Sequence, residues 1–520
     1  MTSLRYLLKL KRMGFSNKNA SNTKSSPNGK ISFNKDFLKG DLFCHLTYMS
    51  AIATSNLPRN MLFEYAANLP YNSSRYIRKV HFLAKKLNYD YSEACRLVGE
   101  ETKEPEAKAI LLRMANAFAS GEKEADFLSR EARVIGETYR SDYESSVESL
   151  KKWTDAYVAL ILSASVVVVI SVVSMLIFPM ETSFTVILTW LVLLSTVLGA
   201  WIMYRASPKD IKTHSLPNKS SEQKIANELF KFMVLPMFII IMLLMLVMKA
   251  NLGWSMLVTA ILILPSGIFA MLDDRKIDKV DSDIAGFLRS LGGVTKAIGT
   301  TVTEAIGRLD FGALSSLKKA ATNLNTSLLL GIKPELCWQK FICSTGSEHI
   351  NRSVRIFWDG IVVGGDPEKV GNQSSTFAME IALLRSKRKM ISSSFTYTCL
   401  VIHATIAILL VCINQVMLNF SSLIQNVGDM TTGGMDSLVQ MPTFQFFAEN
   451  SGSLQLLDMM VTTMVVTLTI VNAAAMKVVD GGHNLKFLFY FGITLAISGF
   501  SLILLPDIMK GIFGVVGAVP

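Results

Sequence analysis

Three residue patterns in this sequence have the composition to do chemistry: a glycine-rich run, a cluster of carboxylates and a set of six histidines. A phosphate cradle needs G-x-x-x-x-G-K-[ST], because backbone N–H groups and a lysine must converge on the phosphates. The run from Gly292-Gly293 to Gly299-Thr300 lacks the lysine and is read as a helix-packing surface. Asp273 and Asp274, followed by Asp278, Asp281 and Asp283, could share a proton as aspartyl proteases do. No G-x-G-D element accompanies them, and Arg275, Lys276 and Lys279 are interspersed at helical spacing, so they are expected to form a solvated helix face. His45, His81, His214, His349, His403 and His483 form no H-x-x-x-H pair, and the six cysteines form no C-x-x-C, so free thiols and no metal centre are expected. The chain is therefore read as non-enzymatic, with no cofactor.

The elements that carry these residues are dominated by apolar blocks. Seven blocks are long enough to cross a hydrocarbon core of about 30 Å: 157–178, 184–204, 229–248, 254–272, 394–415, 454–476 and 487–505. Pro236 and Pro265 fall inside the third and fourth and are expected to kink them. His403 lies within the fifth, where an interhelical hydrogen bond with Asn472 as partner is expected, a proton relay being the alternative. Asp458 is expected to be solvated near the outer end of the sixth.

The formal charge of +11 raises the question of nucleic acid. The basic residues carry no aromatic-interleaved recognition motif and lie mostly on one side of the spans, so topology accounts for them and no nucleic acid is expected. Residues 417–452 and the turn at 180–183 contain no Lys or Arg, whereas Arg205, Lys209, Lys212, Lys219, Lys224, Lys477 and Lys486 mark the opposite side. Retention of positive charge inside then puts the amino terminus in the cytoplasm and the carboxyl terminus outside. The expected protein is an all-α multi-pass protein of the cell membrane. It has a flexible basic leader (1–40), a helical domain (41–152), four spans with a basic inner loop (153–272), a second helical domain (273–390), three spans (391–505) with outer loop 417–452, and an external tail (506–520). Leu4, Leu7 and Leu8 are interrupted by Arg5, Lys9, Lys11 and Arg12, so the start reads either as a short helix on anionic lipid or as a disordered leader, and not as a signal peptide.

The two hydrophilic stretches repeat one another. Both carry stripes at i, i+3, i+4: Ala107, Ile110, Leu111, Met114 and Phe118 in the first; Ile284, Phe287, Leu288 and Leu291, then Val354, Phe357, Trp358 and Ile361, in the second. Glu93-Ala94-Cys95 stands as far before Arg113 as Glu335-Leu336-Cys337 stands before Arg355. A turn follows each, Ser120-Gly121-Glu122-Lys123-Glu124 and Gly364-Gly365-Asp366-Pro367-Glu368, leading into a helix that continues to the membrane. There Lys151 and Lys152, or the cluster Arg385, Lys387, Arg388 and Lys389, are expected to meet lipid head groups. Arg113 and Arg355 read equally as donors to an acidic partner or as members of intradomain ion pairs.

This layout resembles the type II secretion F-domain family, and its wider membrane part looks most like the archaeal J-type platform proteins of the archaellum and related type IV pili. The resemblance covers about residues 41–505. It rests on the architecture and on the small-residue turn before the last helix of each domain, Gly121-Glu122 and Gly364-Gly365-Asp366; Ser55-Asn56-Leu57-Pro58 and Ile298-Gly299-Thr300-Thr301 resemble the family's early helix break. Ser120 stands where the second copy has Gly364, and Pro58 has no counterpart. The resemblance implies a homodimeric platform that couples a hexameric secretion ATPase to insertion of prepilin-like or archaellin subunits. Repeat symmetry then nominates Arg113, Gly121, Glu122, Glu124, Arg355, Gly364, Gly365 and Asp366 as ATPase contacts. A transporter or channel with regulatory domains is the alternative, opposed by spans almost free of charge and without paired broken helices.

Overall fold

A computed structural model describes residues 35–177, 182–246, 252–430 and 451–516. Sixteen α-helices order the described residues. The first hydrophilic stretch forms α1 (Leu38–Ala53), α2 (Arg59–Ala67), α3 (Ser74–Leu87), α4 (Tyr91–Glu101), α5 (Pro105–Ala119) and the start of α6 (Glu124–Ile177). Next come α7 (Thr182–Ala206), α8 (Ser221–Leu246) and α9 (Leu252–Ile298), whose second half opens the other hydrophilic stretch. That stretch continues through α10 (Val302–Gly307), α11 (Lys318–Leu329), α12 (Pro334–Thr345), α13 (Glu348–Val362) and the start of α14 (Pro367–Met430). The chain then passes through α15 (Ser451–Asp480) and α16 (Lys486–Val516). Among the described residues there is no strand, only a single bridge between Thr213 and Ser347.

The chain is an all-α membrane protein. Among the described residues six helices are long and apolar enough to cross a bilayer: α6, α7, α9, α14, α15 and α16. The third apolar block also forms a helix, α8, which runs through Pro236 to Leu246; residues 247–251 lie outside the described ones. Pro265 likewise sits inside an uninterrupted α9. The leader 1–34, most of the loop 417–452 and the tail 517–520 also lie outside the described residues.

Local signals set the helix ends. Asp90 accepts from Ser92 N at 2.9 Å and Ser347 from Ile350 N at 3.3 Å, each satisfying an orphan donor of the helix it caps. Pro105 and Pro334 open α5 and α12, where a missing N–H costs nothing. The expected stripes face inward: Ala107, Ile110, Leu111, Met114 and Phe118 are buried, as are Ile284, Phe287, Leu288, Leu291, Val354 and Phe357, while Trp358 and Ile361 are partly covered.

The two hydrophilic stretches do not have separate cores. Their buried side chains form one continuous cluster from Leu38 to Ala378. At its centre α1, buried on nearly every side, packs against α6 of its own copy and α13 and α14 of the other. Tyr48 donates to Asp359 (2.9 Å), Gln373 to Ser50 (2.8 Å), and Arg352 pairs with Asp41 (2.9 Å). Where α9 meets α14 the backbones touch through Gly292 and Gly371: a Cβ on Gly292 would stand 2.4 Å from Pro367 O and 2.9 Å from Gly371 Cα. The glycine-rich run is thus a packing surface, and Gly293 faces open space. Gly292→Ala should lower stability by about 1–3 kcal/mol through overpacking, and Gly293→Ala should be neutral or stabilising by about 0.5–1 kcal/mol. Thermal midpoints of the two variants in detergent check this; equal shifts would refute the contact.

Two buried histidines add a pH dependence. Burial, reinforced by Arg78 for His45 and by Arg385 for His349, lowers each ring to about 3. The unfolded chain takes up protons near pH 6.5 and the folded chain only near 3, so their contribution is complete above pH 6.5 and falls on acidification through that window. The slope should approach roughly 1.4 kcal/mol per pH unit for each histidine. Midpoints at pH 7.5 and 5.5 should differ less in a His45→Gln/His349→Gln variant than in the natural chain; an identical difference would acquit the histidines.

Candidate functional site

The two nominated turns are built alike. Each closes its preceding helix with a glycine in the left-handed region, Gly121 at φ +71° and Gly364 at φ +88°. Glu122 N donates to Ala117 O (3.1 Å) and, at the matching place, Gly365 N to Gly360 O (2.9 Å). Beyond this the copies diverge. Glu122 pairs with Arg130, and Glu124 accepts from Arg59 Nε at 2.5 Å, the guanidinium lying over Phe118. Asp366 caps α14 by accepting from Glu368 N (3.1 Å) and pairs with Lys296 at 2.6 Å. Gly365 is buried, and a Cβ there would lie 2.7 Å from both Gly360 O and Thr54 Oγ1. Since Thr54 touches one turn and Arg59 the other, the short α1–α2 connection brings both turns to the same end of the bundle.

The two arginines are not equivalent in their surroundings. Arg113 makes a bidentate pair with Glu131 (2.9 and 2.7 Å), tying α5 to α6, although 44% of its side chain remains exposed. Arg355 lies half-buried between the copies, in the electrostatic reach of Tyr71, Asp359 and Tyr48. Sequence symmetry missed a closer equivalence: Asp41 accepts from Asn72 N (3.0 Å) and Asp283 from Ser316 N (2.9 Å), each carboxylate pinning the start of its copy's third helix.

The carboxylates at the end of the fourth span depart from the solvated face expected of them. Asp273, Asp274 and Asp281 are 1%, 1% and 3% exposed. Their partners come from remote segments that fold back onto α9, which is why the neighbouring Arg275, Lys276 and Lys279 misled. Asp273 accepts from Ser220 (2.8 Å) and Gln223 (2.9 Å), while Asp274 pairs with Lys486 (2.6 Å) and Lys212 (2.9 Å). The two carboxylates thus engage different partners and share no proton. Lys486, fully buried, also pairs with Asp480, which accepts from Tyr490 (2.6 Å) and Lys389 (3.0 Å).

The Arg385–Lys389 cluster also differs from expectation. Arg385 forks onto Asp210 (2.7 and 3.0 Å) and reaches Asp281 (2.6 Å); Arg388, 8% exposed, binds the carbonyls of Pro208, Val478 and Val479. Lys387, half-exposed, pairs with Glu144. The inward turn satisfies carbonyls freed where α15 ends and one in the loop after α7. Burial alone would raise Asp210, but the Arg385 guanidinium outweighs it and holds the carboxyl at about 2.

Deeper among the spans, His403 has the interhelical role expected of it. Asn472 Nδ2 lies 3.1 Å from His403 Nδ1 and Tyr157 donates to Asn472 Oδ1 at 2.8 Å; on the other edge Nε2 faces Thr494 O (3.3 Å) and Ser498 Oγ (3.0 Å). Asp458 is exposed, as expected, and accepts from Asn414 Nδ2 (2.6 Å). Among the described residues no group of His, Cys, Asp and Glu is arranged to hold a metal ion.

This chain is similar to flagella accessory protein J. It is 24% identical over 432 residues to the protein of that name from Methanocaldococcus jannaschii, covering 79% of this chain and 74% of that one. It is 23% identical over 325 residues to its namesake from Methanococcus voltae, covering 60% of this chain and 58% of that relative. No family model matches the chain, and no solved structure does.

The salt-bridged cluster makes a testable demand. Lys486→Met leaves Asp274 and Asp480 buried with one cation fewer and should cost about 3–5 kcal/mol. Adding Asp274→Asn should restore part of that loss. Thermal midpoints of the purified variants check the order; a double variant no more stable than Lys486→Met would count against direct pairing.

Proposed function

We propose that this chain is the membrane platform on which an archaellum or type IV pilus-like filament is assembled, coupling a hexameric secretion ATPase to insertion of pilin-like subunits. The observation that carries the reading is the continuity of α6, α9 and α14, helices of 54, 47 and 64 residues that each pass from the hydrophilic bundle into an apolar span. A push or twist on the bundle would travel along such helices, because each continues as one helix into its span, with a single ladder bond lost at Pro265 of α9. The likeness to two proteins named flagella accessory protein J supports the same reading. The lysine and arginine distribution supports an orientation with the bundle in the cytoplasm and the carboxyl terminus outside. In this arrangement the ATPase meets the bundle at the Gly121–Glu124 and Gly364–Asp366 turns, with Arg113 and Arg355 contributing charge, and the platform works as a homodimer in lipid.

The test separates binding from transmission. Replacing Ser145-Ser146 by Pro-Gly breaks α6 between the bundle and the span, since proline removes a helical hydrogen bond at a cost of about 3 kcal/mol. The variant should still co-purify with the ATPase in detergent but fail to support filaments by electron microscopy. Normal filaments from a broken α6 would refute transmission along this helix, and failure of the natural chain to co-purify with either an ATPase or a pilin would refute the platform reading.

A further inference from the structure

The hairpin between α11 and α12 exposes an apolar surface that its own fold does not require. Leu329, Leu330, Ile332 and Leu336 are 70%, 74%, 44% and 55% exposed. They surround Gly331 at φ +73°, and the turn closes through Gly331 N to Leu328 O (3.0 Å) and Ile332 N to Ser327 O (3.3 Å). The duplication supplies an internal control. The α3–α4 turn carries Asn88 at φ +55° in the place of Gly331, flanked by Leu87 and Tyr89 where the second copy has Leu330 and Ile332. In the register set by these two left-handed residues, one residue off the Glu93–Glu335 match of the sequence, the first copy has Lys86 and Glu93 in place of Leu329 and Leu336, so the same fold is made with charged residues there. The second copy has exchanged two charges for two leucines on a surface that faces water.

The hairpin's direction constrains what could cover it. Ser316, just before α11, is held to Asp283 (2.9 Å), and Ser347, just after α12, to Asp281 (2.5 Å). Both anchors lie toward the span end of α9. From there each 12-residue helix runs about 18 Å to the tip. Trp338 packs on Phe287 and Phe357 along the way, so the tip is carried away from the apolar spans. Lys333 and Lys340 edge the patch, are exposed and form no ion pair among the described residues, and Glu335 is the one acid in residues 327–340; the first copy has Asp90 where Lys333 stands.

We propose that this tip is a docking knob for a partner protein offering an apolar groove edged by carboxylates. Leu329, Leu330, Ile332 and Leu336 fill the groove, and Lys333 and Lys340 meet the rim. An exposed apolar cluster with a charged border is the anatomy of an interaction site. The inference rests on the platform reading and deepens it by giving the ATPase a contact in the second copy only, so the two copies of the duplication do not bind alike.

The experiment exchanges the tip for the first copy's own residues: Leu329→Lys/Leu336→Glu in the full chain, reconstituted in lipid nanodiscs and titrated with the purified hexameric ATPase of the same cells. The expected result is at least a tenfold rise in Kd with an unchanged thermal midpoint. Leu330→Ser/Ile332→Ser, which leaves the charge alone, should weaken binding in the same direction and serves if the first variant is unstable. Binding by both variants equal to that of the natural chain would overturn the docking knob and leave the platform reading standing. Absence of binding by the natural chain would overturn both. Loss of self-association by the variants in light scattering, with ATPase binding intact, would assign the tip to a second copy and overturn the proposal as stated.

Discussion

Three helices of this protein pass from water into hydrocarbon without interruption, so the charges at the crossing must be neutralised by other parts of the same chain. Desolvating an ion costs several kcal/mol unless a partner and further hydrogen bonds meet it. The response here is a shared lattice in which Lys212, Arg385, Lys389 and Lys486 answer Asp210, Asp274, Asp281 and Asp480. All but the Lys486–Asp480 pair join segments distant in sequence. The lattice thereby fixes the loop after α7, the α15–α16 connection and α14 against α9, itself one of the three helices that span both environments. These pairs hold α9 laterally where it crosses the boundary.

The duplication is deepest where it is least conspicuous in sequence. The glycine turns, the carboxylate that pins the third helix and the left-handed residue of the α3–α4 and α11–α12 turns recur in kind because each answers a backbone requirement that any copy must meet. Side chains without such a duty have drifted. Arg113 clamps two helices of its own copy while Arg355 faces the other copy, and the joint core buries a face of each stretch against the other.

Helix existence, the apolar spans, the inward stripes, the glycine contact at Gly292 and the intramembrane partner of His403 were legible because all follow from periodicity, length or one strong local preference. The burial of Asp273, Asp274 and Asp281 was not. A charge run reads as solvated when only its own helix is considered, and Lys486 and Arg385 lie far away along the chain. The inward turn of Arg388 was hidden for the same reason, since its acceptors are backbone carbonyls that carry no sequence signal. The candidate contact turns were found through repetition, yet the different environments of their two arginines depend on which face each copy turns to the other.

The joint core also sets an order of events in the making of the protein. Tyr48 finds Asp359 across 311 residues of chain, which a ribosome adding about 5–20 residues per second takes roughly 15–60 s to supply. Throughout that interval α1 has its own copy's α6 but lacks the helices that cover its other faces, while the first spans have already emerged. The nascent chain therefore passes through a half-clad state, inserted at one end and greasy at the other, whose completion waits on the last third of its own message.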